Sequence, residues 1–344
     1  MEQKPRAAVL LVQLGTPDSP ETPDVRRYLR EFLSDTRVVE KPRWQWWPIL
    51  YGLVLTRRPK ESGEKYRSIW QEDGSPLLIN TRLQAQGLRE ELKKRGRLVE
   101  VAWAMRYGKP SMAKALRELR ERGFDRILVL PLYPQYSGST TGTVFDVIAR
   151  EFLRWRTIPS LRFVQDFHDD PGYIAALADS IRQRWRNSPE GRPEKLIFSF
   201  HGVPQFTVDD GDPYQKQCLQ TAAMTAEALG LEKDDYVVSF QSLFGRDEWI
   251  KPYTQPTVEA LARKGIKRID VVCPGFVADC IETLEEVNME IRQAFLDNGG
   301  EQFRYIECLN DAPLWIHAMA DIVSSELSGW GTREVDPVRA RLAG

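Results

Sequence analysis

The sequence predicts an α/β protein built from two similar halves, each a doubly wound parallel sheet with helices on its faces. Three observations lead there. Short apolar runs alternate with helical patterns along the whole chain, and strand–helix–strand order calls for parallel strands joined by right-handed crossovers. Segments of the first half recur in the same order in the second. The 344 residues also exceed what one small core accommodates.

Candidate strands are Ala8–Gln13, Val99–Met105, Ile127–Pro131 and Leu161–Phe167, then Leu196–His201, Tyr236–Gln241, Ile269–Pro274 and Phe303–Cys308. Each is a short apolar or β-branched run closed by Gly, Pro or polar residues, as a strand buried on both faces should be. Helical patterns between them include Met112–Arg122, Gly172–Trp185, Gln255–Lys264 and Ile281–Phe295. The list divides four and four. Val9–Pro17 aligns with Leu196–Pro204, keeping G-x-P in register, and Val101–Gly108 aligns with Val238–Gly245. Gly123-Phe-Asp-Arg-Ile127 aligns with Gly265-Ile-Lys-Arg-Ile269. Each match is weak alone, but three in one order indicate duplication. The expectation is two flavodoxin-like lobes, residues 1–165 and 166–328, with a short tail at 329–344. A cleft between lobes is a favoured ligand site.

Forty-eight basic against forty-nine acidic residues leave no net field, so a nucleic-acid partner is not expected. The opening Met1–Arg6 leads into a brief apolar run, Ala7–Val12, too short for a signal peptide's core, and no stretch approaches a membrane span. A cytoplasmic protein is expected. Cys218, Cys273, Cys280 and Cys308 form neither a CxxC pair nor a disulfide framework, so free thiols are expected.

Four places carry candidate chemistry. His201, one of three histidines, ends a strand at the carboxyl edge where open α/β sheets meet ligands. Its counterpart in the first half is Leu14, so the imidazole is more than filling. Asp279, Glu282, Glu286 and Glu290, spaced three, four and four, share one side of a helix, opposite an apolar stripe of Ile281, Leu284, Ile291 and Phe295. The pattern suits a solvated face. Asp279 and Glu282, however, leave the same sheet edge as His201, and a histidine with carboxylates there can accept protons or pass a divalent metal. In the first half the matching turn, Tyr136-Ser-Gly-Ser-Thr-Thr-Gly-Thr143, is rich in hydroxyls and glycine. Such a helix start suits an anion or is simply well capped, and it lacks the G-K-[ST] of a P-loop. Pro42–Arg58 packs three tryptophans into four residues beside basic groups, as a core helix or an interfacial membrane segment would.

Together these segments resemble ferrochelatases, the enzymes that insert ferrous iron into a porphyrin to make haem. The resemblance rests on Leu11–Pro17, Tyr66, Gly74-Ser-Pro76, Met105-Arg-Tyr107, Tyr133–Gly142, Ser199–Pro204, Gly211-Asp-Pro-Tyr214, Gln241-Ser242 and Asp279-Cys-Ile-Glu-Thr-Leu284. They run through nearly the whole chain in order, and Y-P-Q-Y-S-x-S-T-T-G with D-x-I-E-T-L is highly specific. The resemblance implies two lobes clasping a porphyrin, with His201 and Glu282 as the catalytic pair that handles pyrrole protons and metal. Asp279 and Glu286 would form an acidic path. Arg106, Tyr107, Ser139, Ser75 and Leu14 would line the porphyrin site, Ser75 near a propionate. Trp44, Trp46, Trp47 and Leu50 would belong to an apolar lip, at about 42–58, dipping into the membrane surface.

The implied activity is insertion of Fe²⁺, a substrate, into protoporphyrin IX as the terminal step of haem synthesis, with no permanently bound cofactor. Trp330–Gly344 has no cysteine, so the iron–sulfur cluster of animal ferrochelatases is not expected. F-H-G-V-P and the tryptophan-rich lip are more similar to protoporphyrin-using than to coproporphyrin-using enzymes. Peripheral contact with the inner membrane and transient contact with the preceding haem-pathway enzyme follow as expectations. The alternatives are a coproporphyrin ferrochelatase, a cobalt or nickel chelatase of another tetrapyrrole, and a non-enzymatic two-lobed binding protein. Chelatases of the cobalt and nickel type are often single-lobed or richer in histidine, and the clustered His and acids argue against mere binding.

Overall fold

Both sheets have the expected composition and a common order. This computed structural model describes residues 7–330 except residue 246; the Met1–Arg6 stretch and nearly all of the cysteine-free tail lie outside the described residues. The first sheet contains β1 (Ala7–Thr16), β2 (Glu100–Gly108), β3 (Arg126–Pro131) and β4 (Ser160–Phe163), in the order β2-β1-β3-β4. The second contains β5 (Lys195–His201), β6 (Tyr236–Gln241), β7 (Arg268–Val272) and β8 (Gln302–Ile306), in the order β6-β5-β7-β8. Every pairing is parallel. The two orders are identical, as a duplicated unit requires.

Strand ends differ from expectation where the backbone finds other partners. β4 stops at Phe163, because the chain turns away and the Phe167 N–H donates to the Pro134 carbonyl instead. β7 stops at Val272, two residues before Pro274, which has no N–H to give a ladder. The helix expected at Ile281–Phe295 winds as a π-helix over Glu282–Ile291 and becomes α-helical only at Arg292–Asp297.

β1 shows how the cores arise. Ala8, Leu10 and Val12 point to one face, packing with Leu116, Val144 and Ile148 of the first half. Val9 and Leu11 point to the other, where they meet Leu88 and Leu92 but also Tyr173, Leu177, Trp315, Met319 and Val323. Alternation along a strand thus splits one apolar run between two cores. The second of these cores is shared: helices Pro171–Arg186 and Pro313–Glu326, which belong to the second half of the chain, cover part of the first sheet. Their contact is close because Gly172 has no side chain; a Cβ there would sit 2.8 Å from that of Ala318. The two lobes are therefore joined by an apolar seam as well as by the linker between β4 and β5.

Candidate active site

β5 delivers His201 to the carboxyl edge of the second sheet, where it is half-buried. Its Nδ1 lies 2.6 Å from the Gly202 carbonyl oxygen. A carbonyl can only accept, so Nδ1 carries the hydrogen, and the neutral ring keeps its lone pair on Nε2. The Gly202 N–H in turn donates to the Gln241 carbonyl at 2.7 Å. A Cβ on Gly202 would meet that oxygen at 3.0 Å and the Trp249 ring at 3.1 Å, so a side chain there would crowd the turn. Trp249 and Phe276 flank the imidazole, with ring centroids 6.4 and 6.5 Å away.

The acidic helix begins beside this edge. Gln241 Nε2 donates to the Glu282 carbonyl at 3.0 Å, tying the helix start to the end of β6. Glu282 and Glu286 are half-buried and Glu290 is exposed, so the row runs from the interior to solvent. Glu286 accepts from the Ser242 N–H at 2.8 Å and from the Ser242 hydroxyl. Burial pushes the Glu286 carboxyl above the usual carboxylate range. The Ser242 hydrogen bonds and a charged His201 pull it down, and the Glu282 carboxylate pushes it up. His201, Glu282 and Glu286 therefore share one electrostatic environment. Across from them, burial pushes the first-lobe tyrosines Tyr28 and Tyr66 well up, and the Glu282 charge adds to it in both. Their rings stand perpendicular, 6.4 Å apart.

Asp279 is placed differently from Glu282 and Glu286. It is buried, and its carboxylate accepts from Tyr305 at 2.6 Å, Asn310 at 2.7 Å and Thr283 at 3.0 Å. These bonds fasten the helix start to β8 and to the chain just beyond it.

In the first lobe, Arg106 and Tyr107 end β2 as buried neighbours. The guanidinium pairs with Asp35, donates to the Thr143 carbonyl at 2.9 Å and lies 4.2 Å from the centre of the Tyr107 ring. The Tyr107 hydroxyl donates to the same Asp35 carboxylate at 3.1 Å. Ser75 is buried as the N-cap of helix Pro76–Lys94, accepting from the Leu78 N–H at 3.2 Å. Leu14 and Ser139 are half-buried. The hydroxyl-rich turn, for which an anion or a plain cap was open, takes a carboxylate of the protein itself: Asp212 of the second lobe accepts from the Gly138 N–H at 2.7 Å and from Ser137 at 3.1 Å. The Tyr136 N–H donates to Gln217 at 2.6 Å.

The lip divides by face. Trp46 and Leu50 are buried with Leu33, Val39 and Leu55, and the Trp46 indole donates to the Leu33 carbonyl at 2.7 Å. Trp44 is 76% exposed, and Trp47, Tyr51 and Leu53 about half exposed. Phe244 of the second lobe packs edge-on to Trp46 at 6.3 Å and beneath the Arg58 guanidinium. Trp46 and Leu50, expected in the lip, belong to the core instead, because one face of the segment packs on the first lobe; Trp44 and Trp47 stay at the surface.

Sequence reasoning passed over Asp35, Tyr28, Asp212, Trp249 and Phe276. Asp212 and Ser242 lay in quoted motifs but carried no chemical signal of their own. Asp35 sits in Ser34-Asp-Thr36 with no spacing that links it to Arg106.

Comparison with known proteins identifies the family. Residues 6–327 match the family model for ferrochelatase. Ferrochelatase of Bordetella pertussis is 55% identical over 327 residues, covering 95% of this chain and 90% of its own. That of Polaromonas sp. JS666 is 56% identical over 326 residues, covering 95% and 88%. Among solved structures, SirB from Bacillus subtilis with Fe³⁺ aligns over 95% of this chain and 98% of its own, with a TM-score of 0.57 at 12% identity. A second, the sirohydrochlorin chelatase SirB in complex with cobalt, gives 0.53 at 12% identity over the same shares. These two share the fold. Similarity above half of all residues, across nearly the full length of both chains, places the protein in the ferrochelatase family.

Proposed function

We propose that the protein inserts ferrous iron into protoporphyrin IX, with His201 as the pyrrole base and Glu282 as the oxygen ligand that hands over the metal. Family membership makes it an enzyme that puts iron into a porphyrin for haem synthesis; the residue roles and the choice of porphyrin are the proposal. The observation that carries it is the His201 Nδ1–H bound to Gly202, which leaves Nε2 free at the edge where the acidic row begins.

Insertion breaks two pyrrole N–H bonds and forms metal–nitrogen bonds, releasing two protons for one dication. Nε2 takes a proton. Glu286, whose carboxyl burial makes readier to hold a proton, receives it and passes it toward Glu290 and water. Glu282 meets the ion as a hard oxygen ligand that lets go readily. Asp279 anchors the helix start, so that this row keeps its place. Arg106, Tyr107, Ser75, Ser139 and Leu14 shape the porphyrin side, Arg106 and Tyr107 through the Asp35 clamp.

No iron–sulfur cluster belongs to this scheme. The four cysteines are buried, and burial pushes each thiol well above its ordinary range. No helix among the described residues is long and apolar enough to cross a membrane. The exposed Trp44, Trp47, Tyr51 and Leu53 support a cytoplasmic enzyme resting on the inner membrane surface, where it can meet the enzyme that supplies porphyrin.

The test follows Soret absorbance with purified protein, Fe²⁺ and either protoporphyrin or coproporphyrin. We expect a higher kcat/KM for protoporphyrin. Preference for coproporphyrin would overturn the choice of ring, and turnover with cobalt or nickel on sirohydrochlorin but not with iron would overturn the choice of metal.

A further inference from the structure

The linker from β4 to helix Pro171–Arg186 carries a polar chain that does not balance with a neutral histidine. Asp166 Oδ1 lies 2.7 Å from His168 Nδ1. His168 Nε2 lies 3.2 Å from Gln220 Oε1, and Gln220 Nε2 lies 3.3 Å from Asp169 Oδ2. Asp166 requires the ring hydrogen on Nδ1, which leaves Nε2 an acceptor facing another acceptor. Turning the Gln220 amide over satisfies Nε2 but sets the amide oxygen against the Asp169 carboxylate. Either orientation leaves one pair of acceptors in contact. A positive charge at that point resolves the conflict, supplied by a second proton on the ring or by a bound cation.

We infer that His168 Nε2, Asp169 Oδ2 and Gln220 Oε1 form a divalent-cation site at the junction of the lobes, on elements other than those bearing His201 and Glu282. Asp166 holds the ring from behind, the carboxylate–histidine arrangement that fixes the tautomer of metal-ligating imidazoles. Neighbouring ligands of an octahedral ion with bonds of about 2.1 Å stand about 3 Å apart. The Nε2–Oε1 separation of 3.2 Å fits, and Asp169 Oδ2, now 3.9 Å from Nε2, is on a half-exposed side chain free to close. One nitrogen and two oxygens suit Mn²⁺, Fe²⁺ or Co²⁺. The backbone is already set, since the His168 carbonyl accepts from Thr221 at 2.7 Å and Thr221 accepts from Gln135 at 3.0 Å. His317 is a useful contrast. It also has carboxylates near, Glu91 at 3.2 Å and Asp321 at 3.8 Å, but the Arg95 guanidinium 2.9 Å away already supplies the positive charge.

With three histidines in the chain, ring signals of ¹³C-histidine protein are assignable by single substitutions. We expect micromolar Mn²⁺ to broaden the His168 signal in wild type and equally in His201→Ala. Asp166→Asn should raise the Mn²⁺ required about 10–100-fold, and the exposed Asp169→Asn should raise it at least as much. A His168 signal that stays sharp to millimolar Mn²⁺ would overturn the inference, leaving a proton in the place of the metal. Broadening unchanged in both Asp variants would overturn it as well.

Discussion

Replacing His201 by alanine separates chemistry from folding, because the ring contributes little to the core. It is half-buried, and its hydrogen bond runs to the carbonyl of the next residue. Losing contact with Trp249 and Phe276 should cost on the order of 1 kcal/mol of stability. Losing the base should cost about 10²–10⁴ in kcat, roughly 3–5 kcal/mol in the barrier. The assay is Soret-monitored insertion, with kcat and both KM values measured beside thermal unfolding. The expected signature is a kcat lowered at least about 100-fold, porphyrin KM changed only a few fold, and Tm nearly unchanged. Imidazole added to the buffer should restore part of the rate, since the slot between two aromatic rings remains. A kcat within about threefold of wild type would remove His201 from the reaction. A loss of rate that merely followed a fall in Tm would make it a packing residue.

Ser242 has φ +66°, a left-handed conformation that glycine adopts without strain, so Ser242→Gly removes the hydroxyl and keeps the N–H bond to Glu286. Both bonds favour the carboxylate; with one gone Glu286 holds its proton to higher pH, and the acid limb of the kcat–pH profile should move upward. A limb that does not move would take Glu286 out of the proton route. Asp270 is fully buried, and burial pushes its carboxyl up while Arg304 pulls it down. Arg304→Met would leave the Trp185 indole as its remaining donor and cost about 3–5 kcal/mol. Because the folded carboxyl then binds its proton more readily than the unfolded one, the deficit should be smallest in acid and grow as pH rises toward neutral. Equal deficits in urea titrations at acid and neutral pH would contradict this account. Trp44 and Trp47 changed together to Ser should weaken binding to anionic vesicles at least about tenfold with Tm unchanged, whereas Trp46→Ser should lose about 3–5 kcal/mol of stability. Unaltered co-sedimentation of the double variant would leave the lip without a membrane role.

The sheets were legible because most strands are short runs rich in apolar residues, closed by Gly, Pro or polar residues, and the repeat showed that the second half copies the first. His201 was legible for the same reason: the second copy carries an imidazole where the first carries Leu14. What the repeat hid is the exchange between halves. Trp315, Met319 and Val323 look like an ordinary amphipathic pattern, and nothing in their spacing says that they cover the sheet of the other lobe. Asp212 was hidden in a similar way. A carboxylate that fills a helix start across the junction looks, in sequence, like any turn residue, while the start itself advertises an open anion site.

The π-winding of the acidic helix has the same origin, since no local rule marks it, and it changes which acids matter. Spacing by three and four singled out Glu282, Glu286 and Glu290, and residues four apart stay neighbours in either winding. Glu285 was left aside. In an α-helix residues five apart diverge by about 140°, so one ammonium could hardly reach both Glu285 and Glu290. The i→i+5 bonds of a π-helix stack them instead, and Lys65 of the first lobe reaches Glu285 at 2.9 Å and Glu290 at 2.6 Å. Each contact is partly exposed and worth at most about 1 kcal/mol, so the pair adds little to stability. Its effect is on geometry. Lys65 adjoins Tyr66, whose hydroxyl is pushed up first by burial and then by the Glu282 charge, so one turn of a first-lobe helix grips the outer end of the acidic row and feels the charge at its inner end. The wider winding thus lets the first lobe hold the row in place from across the junction while leaving Glu282 and Glu286 on the face they share with His201.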